Sequence, residues 1–87
     1  MKNKVLVKLI VPELDRTFDV FIPVNEVMWK IKKLIVKSVY DLSGGAINID
    51  NEFEIINLNT SECYSNNKIL YDTDIRNATE LVLLLRK

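Results

Sequence analysis

Few residues in this 87-residue chain have side chains that can do chemistry, and their spacing argues against most reactions. There is one cysteine, Cys63, and no histidine. A single thiol cannot close a disulfide within the chain, and a zinc site, which needs several Cys or His ligands, is not expected. Without histidine no nucleophile–His pair can be built. Cys63 stands among Ser, Glu, Tyr and Asn in "SECYSN", with nothing basic beside it to activate the sulfur, so it reads as inert. Asp72 and Asp74 are close in sequence, as paired carboxylates would be. They lie in "YDTDIRNA", however, whose composition is that of a turn, and there one of them caps a single helical turn. "SGG" at 43–45 is too short for a phosphate-cradling loop and reads as a helix stop. The chain is therefore expected not to be an enzyme, and to use no cofactor, no metal and no small-molecule substrate.

What remains is apolar and aromatic, and its use depends on the elements that present it. "KVLVKLIV" alternates Val5, Val7, Leu9 and Val11 with Lys4, Leu6, Lys8 and Ile10, the period of a half-buried strand. After the turn residues "PELDR", Phe18, Val20 and Ile22 alternate with Thr17, Asp19 and Phe21 until Pro23, which cannot donate to a ladder. The two runs read as a hairpin. The period then changes to that of a helix over about 25–43, with Asn25 as N-cap and Gly44 or Gly45 as stop. Val27, Ile31, Leu34, Ile35, Ser38, Val39 and Leu42 are expected on its core side, flanked by Met28. "FEIINL" at 53–58 reads as a third strand, "NTSECYSNN" as a polar loop and "KIL" as a very short strand. "ELVLLL" is a closing strand whose unbroken apolar run marks it as central.

A hairpin, a long helix and further strands that include a central last one imply an α+β chain. A mixed sheet of four to five strands packs on one long helix, as a single domain over 1–87. A chain this size buries roughly 60% of its unfolded surface, enough for one core. Here the sequence resembles ubiquitin-like β-grasp proteins over nearly its whole length. "TFDVFIPVNEVMWKIKKLI" is similar to their second strand and helix entry, and "KILYDTDIRNATELVLLLR" to their closing segment. The resemblance implies that Leu70, Ile75, Leu81 and Leu83 are core and that Asp72 holds the turn. Within that class the chain looks most like the bacterial YukD/EsaB-like proteins, small cytosolic components associated with type VII (WXG100) secretion. The shared features are a start directly at the first strand, a Trp-bearing helix and an "IxN"-type turn before the last strand.

Modifiers and sulfur carriers of this fold carry a C-terminal Gly-Gly, because the terminal carboxylate must be adenylated and threaded through a narrow active site. This chain has Leu85, Arg86 and Lys87 there. Unless a longer precursor exists, neither conjugation nor sulfur carriage is expected.

Two apolar surfaces are then candidates for docking. With Ile31 set at zero and about 100° per residue, Val36 falls at about 140°, Trp29 at about 160° and Tyr40 at about 180°. That stripe opposes the core side and is rimmed by Lys30, Lys33 and Lys37. Trp and Tyr are common binding hot spots; alternatively the 45–53 segment folds back over Trp29, or three exposed apolar residues mean nothing. On the outer face of the sheet, Ile56, Val82 and Leu84 are expected to point outward, with Leu6, Ile10 and Phe21. A partner, a second copy or the 57–68 loop would cover them.

The function this implies is a non-catalytic, non-conjugated adaptor acting by protein–protein docking or self-association. By resemblance it is an accessory of a bacterial type VII secretion system. The alternative is a small ubiquitin-like structural subunit of a multicomponent bacterial oxygenase. The net charge is zero, with +3 over residues 1–44 and −3 over 45–87. That is a dipolar surface and not the basic footprint of a nucleic-acid binder. No apolar stretch reaches the length of a membrane span, and Lys4 and Lys8 interrupt any signal-peptide core, so neither membrane insertion nor secretion is expected. The chain is expected to be cytoplasmic, and the glycosylation matches at Asn59 and Asn77 are read as chance.

Overall fold

A computed structural model describes residues 3–86. The readings that rest on the Met1 start and on Lys87 at the tail lie outside the described residues. Strands β1 (Lys4–Val11) and β2 (Arg16–Pro23) form the expected antiparallel hairpin, Lys4 opposite Pro23 and Val11 opposite Arg16. Alternation does the sorting: Val5, Val7, Leu9 and Val11 of β1 and Phe18, Val20 and Ile22 of β2 are all buried on one face. A 3-10 turn at Pro12–Leu14 joins the strands, closed by Asp15 in the left-handed region (φ 51°). Asp is one of the few residues that visits that region readily.

Helix α1 (Met28–Leu42) lies across the inner face and ends as expected, with Gly44 at φ 70° and Gly45 at φ 82°. Its start departs from the sequence reading. Asn25 does not cap it; Val27 occupies the N-cap position without a side-chain cap. The first amides find acceptors elsewhere, Met28 N–H on the Lys68 carbonyl (2.8 Å) and Trp29 N–H on that of Asn66 (3.1 Å). A loop distant in sequence thus satisfies the donors that an N-cap side chain would otherwise take.

Strands β3 (Phe53–Asn57) and β4 (Glu80–Leu85) complete a four-stranded sheet in the order β2-β1-β4-β3. The closing strand is central, parallel to β1 and antiparallel to β3. "KIL" does not form a strand: Ile69 makes only an isolated bridge with Val27. A 3-10 turn at Leu70–Asp72 follows, and the hydroxyl of Thr73 secures it. Thr73 Oγ1 donates to the Leu70 carbonyl (2.6 Å) and accepts from Ile75 N–H (3.2 Å), in place of the expected Asp72. Leu70, Ile75, Leu81 and Leu83 are core, as the resemblance implied. The turn before β4 is anchored to β1 by Asn77, whose carboxamide oxygen accepts from Leu6 N–H (2.9 Å), while Ala78 N–H donates to the Leu6 carbonyl (2.8 Å).

Candidate functional site

The buried residues of α1 are Met28, Ile31, Ile35, Val36 and Val39. Two expectations fail here. Leu34 and Leu42 leave the core and are exposed, Leu34 at 45%. Val36, expected on the far side with Trp29 and Tyr40, is 8% exposed. The cause is tertiary: the segment leading into β3 walls this side of the helix, so an angle measured from Ile31 alone misplaces the boundary. Trp29 (42%) and Tyr40 (40%) do stand outside, on the flank next to Val36.

Between that flank and the 49–54 segment runs an open groove of about 580 Å³. Val36 and Phe53, both buried, line its base, and Trp29, Tyr40 and Ile49 add exposed apolar walls. Lys32, Lys33 and Lys37 line it from the helix, and Glu52, Glu54 and Arg86 from the sheet side. Lys30 and Lys33 each stand 5.5 Å from the Trp29 ring centroid, a cation–π distance. The two glutamates are already engaged: Glu54 with Arg86 (3.2 Å) and Lys32 (4.0 Å), Glu52 with Arg86 (4.0 Å). The 45–53 segment therefore borders Trp29 and Tyr40 without sealing them. Gly45 lies against the Tyr40 ring, where an added Cβ would sit 3.5 Å from it.

The outer sheet face has a different organisation. Strand register puts Ile10, Val82 and Ile56 side by side on β1, β4 and β3, and Ile56 bridges onward to Cys63. All three apolar residues are half-buried, and Leu84, one step along β4, is exposed. The next row is charged: Asp19, Lys8 and Glu80 are register partners. It separates Ile10 and Val82 from Phe21 and Leu6, which pair with each other further along the hairpin. Ile56, Val82 and Leu84 thus point outward as expected, and the apolar surface is a narrow row interrupted by charge. The 57–68 loop runs along the edge of β3, where Asn57 N–H donates to the Glu62 carbonyl (3.0 Å).

The structure places the six candidate residues on two surfaces: Trp29, Val36 and Tyr40 at the groove, Ile56, Val82 and Leu84 on the outer face. Sequence reasoning missed the groove's second wall, Ile49, Glu52, Phe53, Glu54 and Arg86. No local signal marks it, because it forms only when β3 docks beside β4 and the helix. Among the described residues, no cluster of His, Cys, Asp and Glu is arranged to hold a metal ion, and no helix is long and apolar enough to cross a membrane.

No protein-family model matches the sequence, and no curated relative is found for it. Solved structures do match its fold. The ubiquitin-like domain of EccD5 from Mycobacterium xenopi superposes with a TM-score of 0.76 at 12% identity, covering 97% of this chain and 96% of that one. The ubiquitin-like domain of the type VII secretion system protein EccD1 of Mycobacterium tuberculosis gives 0.72 at 13% identity, covering 93% and 97%. A chain of the toluene 4-monooxygenase HD complex gives 0.74 at 8% identity, covering 95% and 99%. With identities this low the likeness is one of architecture, and the architecture is the ubiquitin-like β-grasp fold.

Proposed function

We propose that this chain is a non-catalytic ubiquitin-like adaptor that works by docking, of the YukD/EsaB-like kind, as a cytoplasmic accessory of a bacterial type VII secretion system. The observation that carries the docking role is the groove beside α1. It has a buried apolar base, two exposed aromatic flanks and a charged rim, the anatomy of a protein-binding surface. The likeness to EccD ubiquitin-like domains supports the secretion assignment.

A second reading has its own support in the likeness to a chain of the toluene 4-monooxygenase HD complex. There the chain would be a structural subunit of a multicomponent oxygenase. The deciding experiment is affinity capture from the source cell with the captured proteins identified, comparing wild type, Trp29→Ala/Tyr40→Ala and Val82→Glu after each is checked for folding. A WXG100 protein or a secretion ATPase in the wild-type capture supports the adaptor, and a large iron-dependent hydroxylase supports the oxygenase subunit. A chain that captures neither and runs as a lone monomer overturns both. Loss in one variant only assigns the surface.

A further inference from the structure

The groove also carries information about what fills it. Its two walls differ in charge state. On the sheet side Glu52 and Glu54 are neutralised by Arg86 and Lys32 at 3.2–4.0 Å. On the helix side, among the described residues, Lys33 has only the Trp29 ring, and Lys37 a solvent-exposed pairing with Asp41 at 3.9 Å. The lining therefore holds four cations against two anions that are already engaged. The surplus is positive and lies along α1.

The sheet edge bordering the groove has a polarity of its own. In an antiparallel ladder the backbone groups of alternate residues face alternate neighbours. Arg86 N–H donates to the Glu52 carbonyl (2.8 Å), which sets the even-numbered residues toward β4. Asn57 N–H, of the opposite parity, donates away from β4 to the Glu62 carbonyl (3.0 Å). Phe53 shares the parity of Asn57. The bridge of Ile56 with Cys63 occupies the far end of this edge, and no backbone partner takes up the Phe53 end among the described residues. Trp29 and Tyr40, at the two ends of the helix wall, are eleven residues apart, about 16 Å. An extended segment of about five residues spans that length.

Resting on the docking reading above, we propose that the occupant is an extended acidic segment of a partner protein. It adds as a short strand to the Phe53 end of β3. The side chains of one parity turn toward α1, an apolar one laid on Val36 and Phe53 between Asp or Glu residues that meet Lys33 and Lys37, while those of the other parity face outward beside Glu54. Backbone pairing supplies affinity and the side chains facing α1 supply selectivity. A segment of the opposite charge would meet the same apolar base and the wrong rim.

The test uses two short capped peptides, one of the pattern Glu-Thr-Val-Thr-Glu, whose Glu and Val share a strand face, and its counterpart with Lys in place of Glu. Trp29 is the sole tryptophan, so its fluorescence reports the groove directly. The Glu peptide is expected to give a saturable change and to slow hydrogen exchange of the Phe53 amide, and the Lys peptide to bind at least tenfold more weakly. Lys33→Glu/Lys37→Glu should reverse the preference, weakening the Glu peptide by roughly tenfold, while Lys4→Glu, a single charge reversal on β1, should leave it in place. Equal binding of the two peptides, no saturation, or perturbation of Ile10, Val82 and Ile56 instead of Phe53 overturns the proposal. So does a concentration-dependent dimer that protects Trp29 without peptide, which would make a second copy the occupant. Cellular capture keeps the two levels apart. A partner retained by Lys33→Glu/Lys37→Glu and lost with Val82→Glu leaves the adaptor standing while the groove assignment falls.

Discussion

The Tyr64 hydroxyl donates to Oδ1 of Asp74 at 2.5 Å and accepts from the Asn57 carboxamide at 3.1 Å. Three successive segments meet in this network: the end of β3, the loop after it, and the turn that follows Leu70–Asp72. Asn57 is buried, and its carboxamide oxygen also accepts from Asn59 and Thr60 N–H (2.9 and 3.3 Å). Tyr64→Phe removes two hydrogen bonds and leaves the Asn57 amide without its acceptor. The expected cost is about 1–3 kcal/mol in chemical denaturation, with the loop around 58–64 opening first in hydrogen exchange.

The same tyrosine has a pH signature. Partial burial, reinforced by the hydrogen bond to Asp74, raises its pKa from 10.0 to about 12. A folded-state pKa above the unfolded one means that the folded state favours the protonated phenol. The contribution is complete below pH 10 and is lost as pH rises from 10 through about 12. Wild type should therefore show an alkaline loss of stability that Tyr64→Phe lacks. Tyrosinate absorbance should contain a late step, near 12, that disappears in the same variant.

Ala78 occupies the left-handed region at φ 70°, a conformation that costs an L residue roughly 1–2 kcal/mol. Glycine adopts it without that penalty but loses more chain entropy, by about 0.5–1 kcal/mol. Ala78→Gly should raise stability by up to about 1 kcal/mol, read as a higher melting temperature. A decrease would show that the Ala78 methyl contributes packing that outweighs the strain.

Helix α1 offers a contrast between neighbours on one flank. Val36→Ala removes buried methyl groups at the base of the groove and should cost about 1–2 kcal/mol. Trp29→Ala and Tyr40→Ala, at half-exposed positions, should each cost less and should instead weaken docking. Equal destabilisation by all three, measured by thermal unfolding, would make the aromatic flank part of the core and remove its availability to a partner.

The contrast also marks where sequence reasoning succeeds. Strand alternation is a local property, so the inward set of the hairpin, Val5 to Ile22, follows directly from the order of residues. The unbroken run Leu81–Leu85 signals a strand with neighbours on both sides, and β4 has them. Glycine at 44 and 45 stops the helix for a reason internal to the backbone. Most of the failures are long-range. Asn25 has the chemistry of a cap, but the helix begins three residues later because the carbonyls of Asn66 and Lys68 reach its first amides. Asp72 has the chemistry of a turn anchor, and Thr73 one position on takes the role. Leu34 and Val36 exchange their expected environments because the walls of α1 are set by β3 and the 49–54 segment. Half of the groove was legible for the same reason: Trp29 and Tyr40 belong to one helix, whereas Phe53, Glu54 and Arg86 join them only through the fold.

The strand order has a consequence for synthesis on the ribosome. β4 lies between β1 and β3, so the sheet has no centre until residues 80–85 have left the exit tunnel. Until then the nascent chain holds a finished hairpin whose inner margin, along Lys8 to Ile10, is waiting for its parallel neighbour. Long-range pairing of this kind is slow, and an unfilled strand margin is open to neighbouring chains on the same messenger. Translation speed between the hairpin and residue 85 therefore sets how long that margin stays open, and a stall before residue 80 prolongs the period of greatest risk of misassembly.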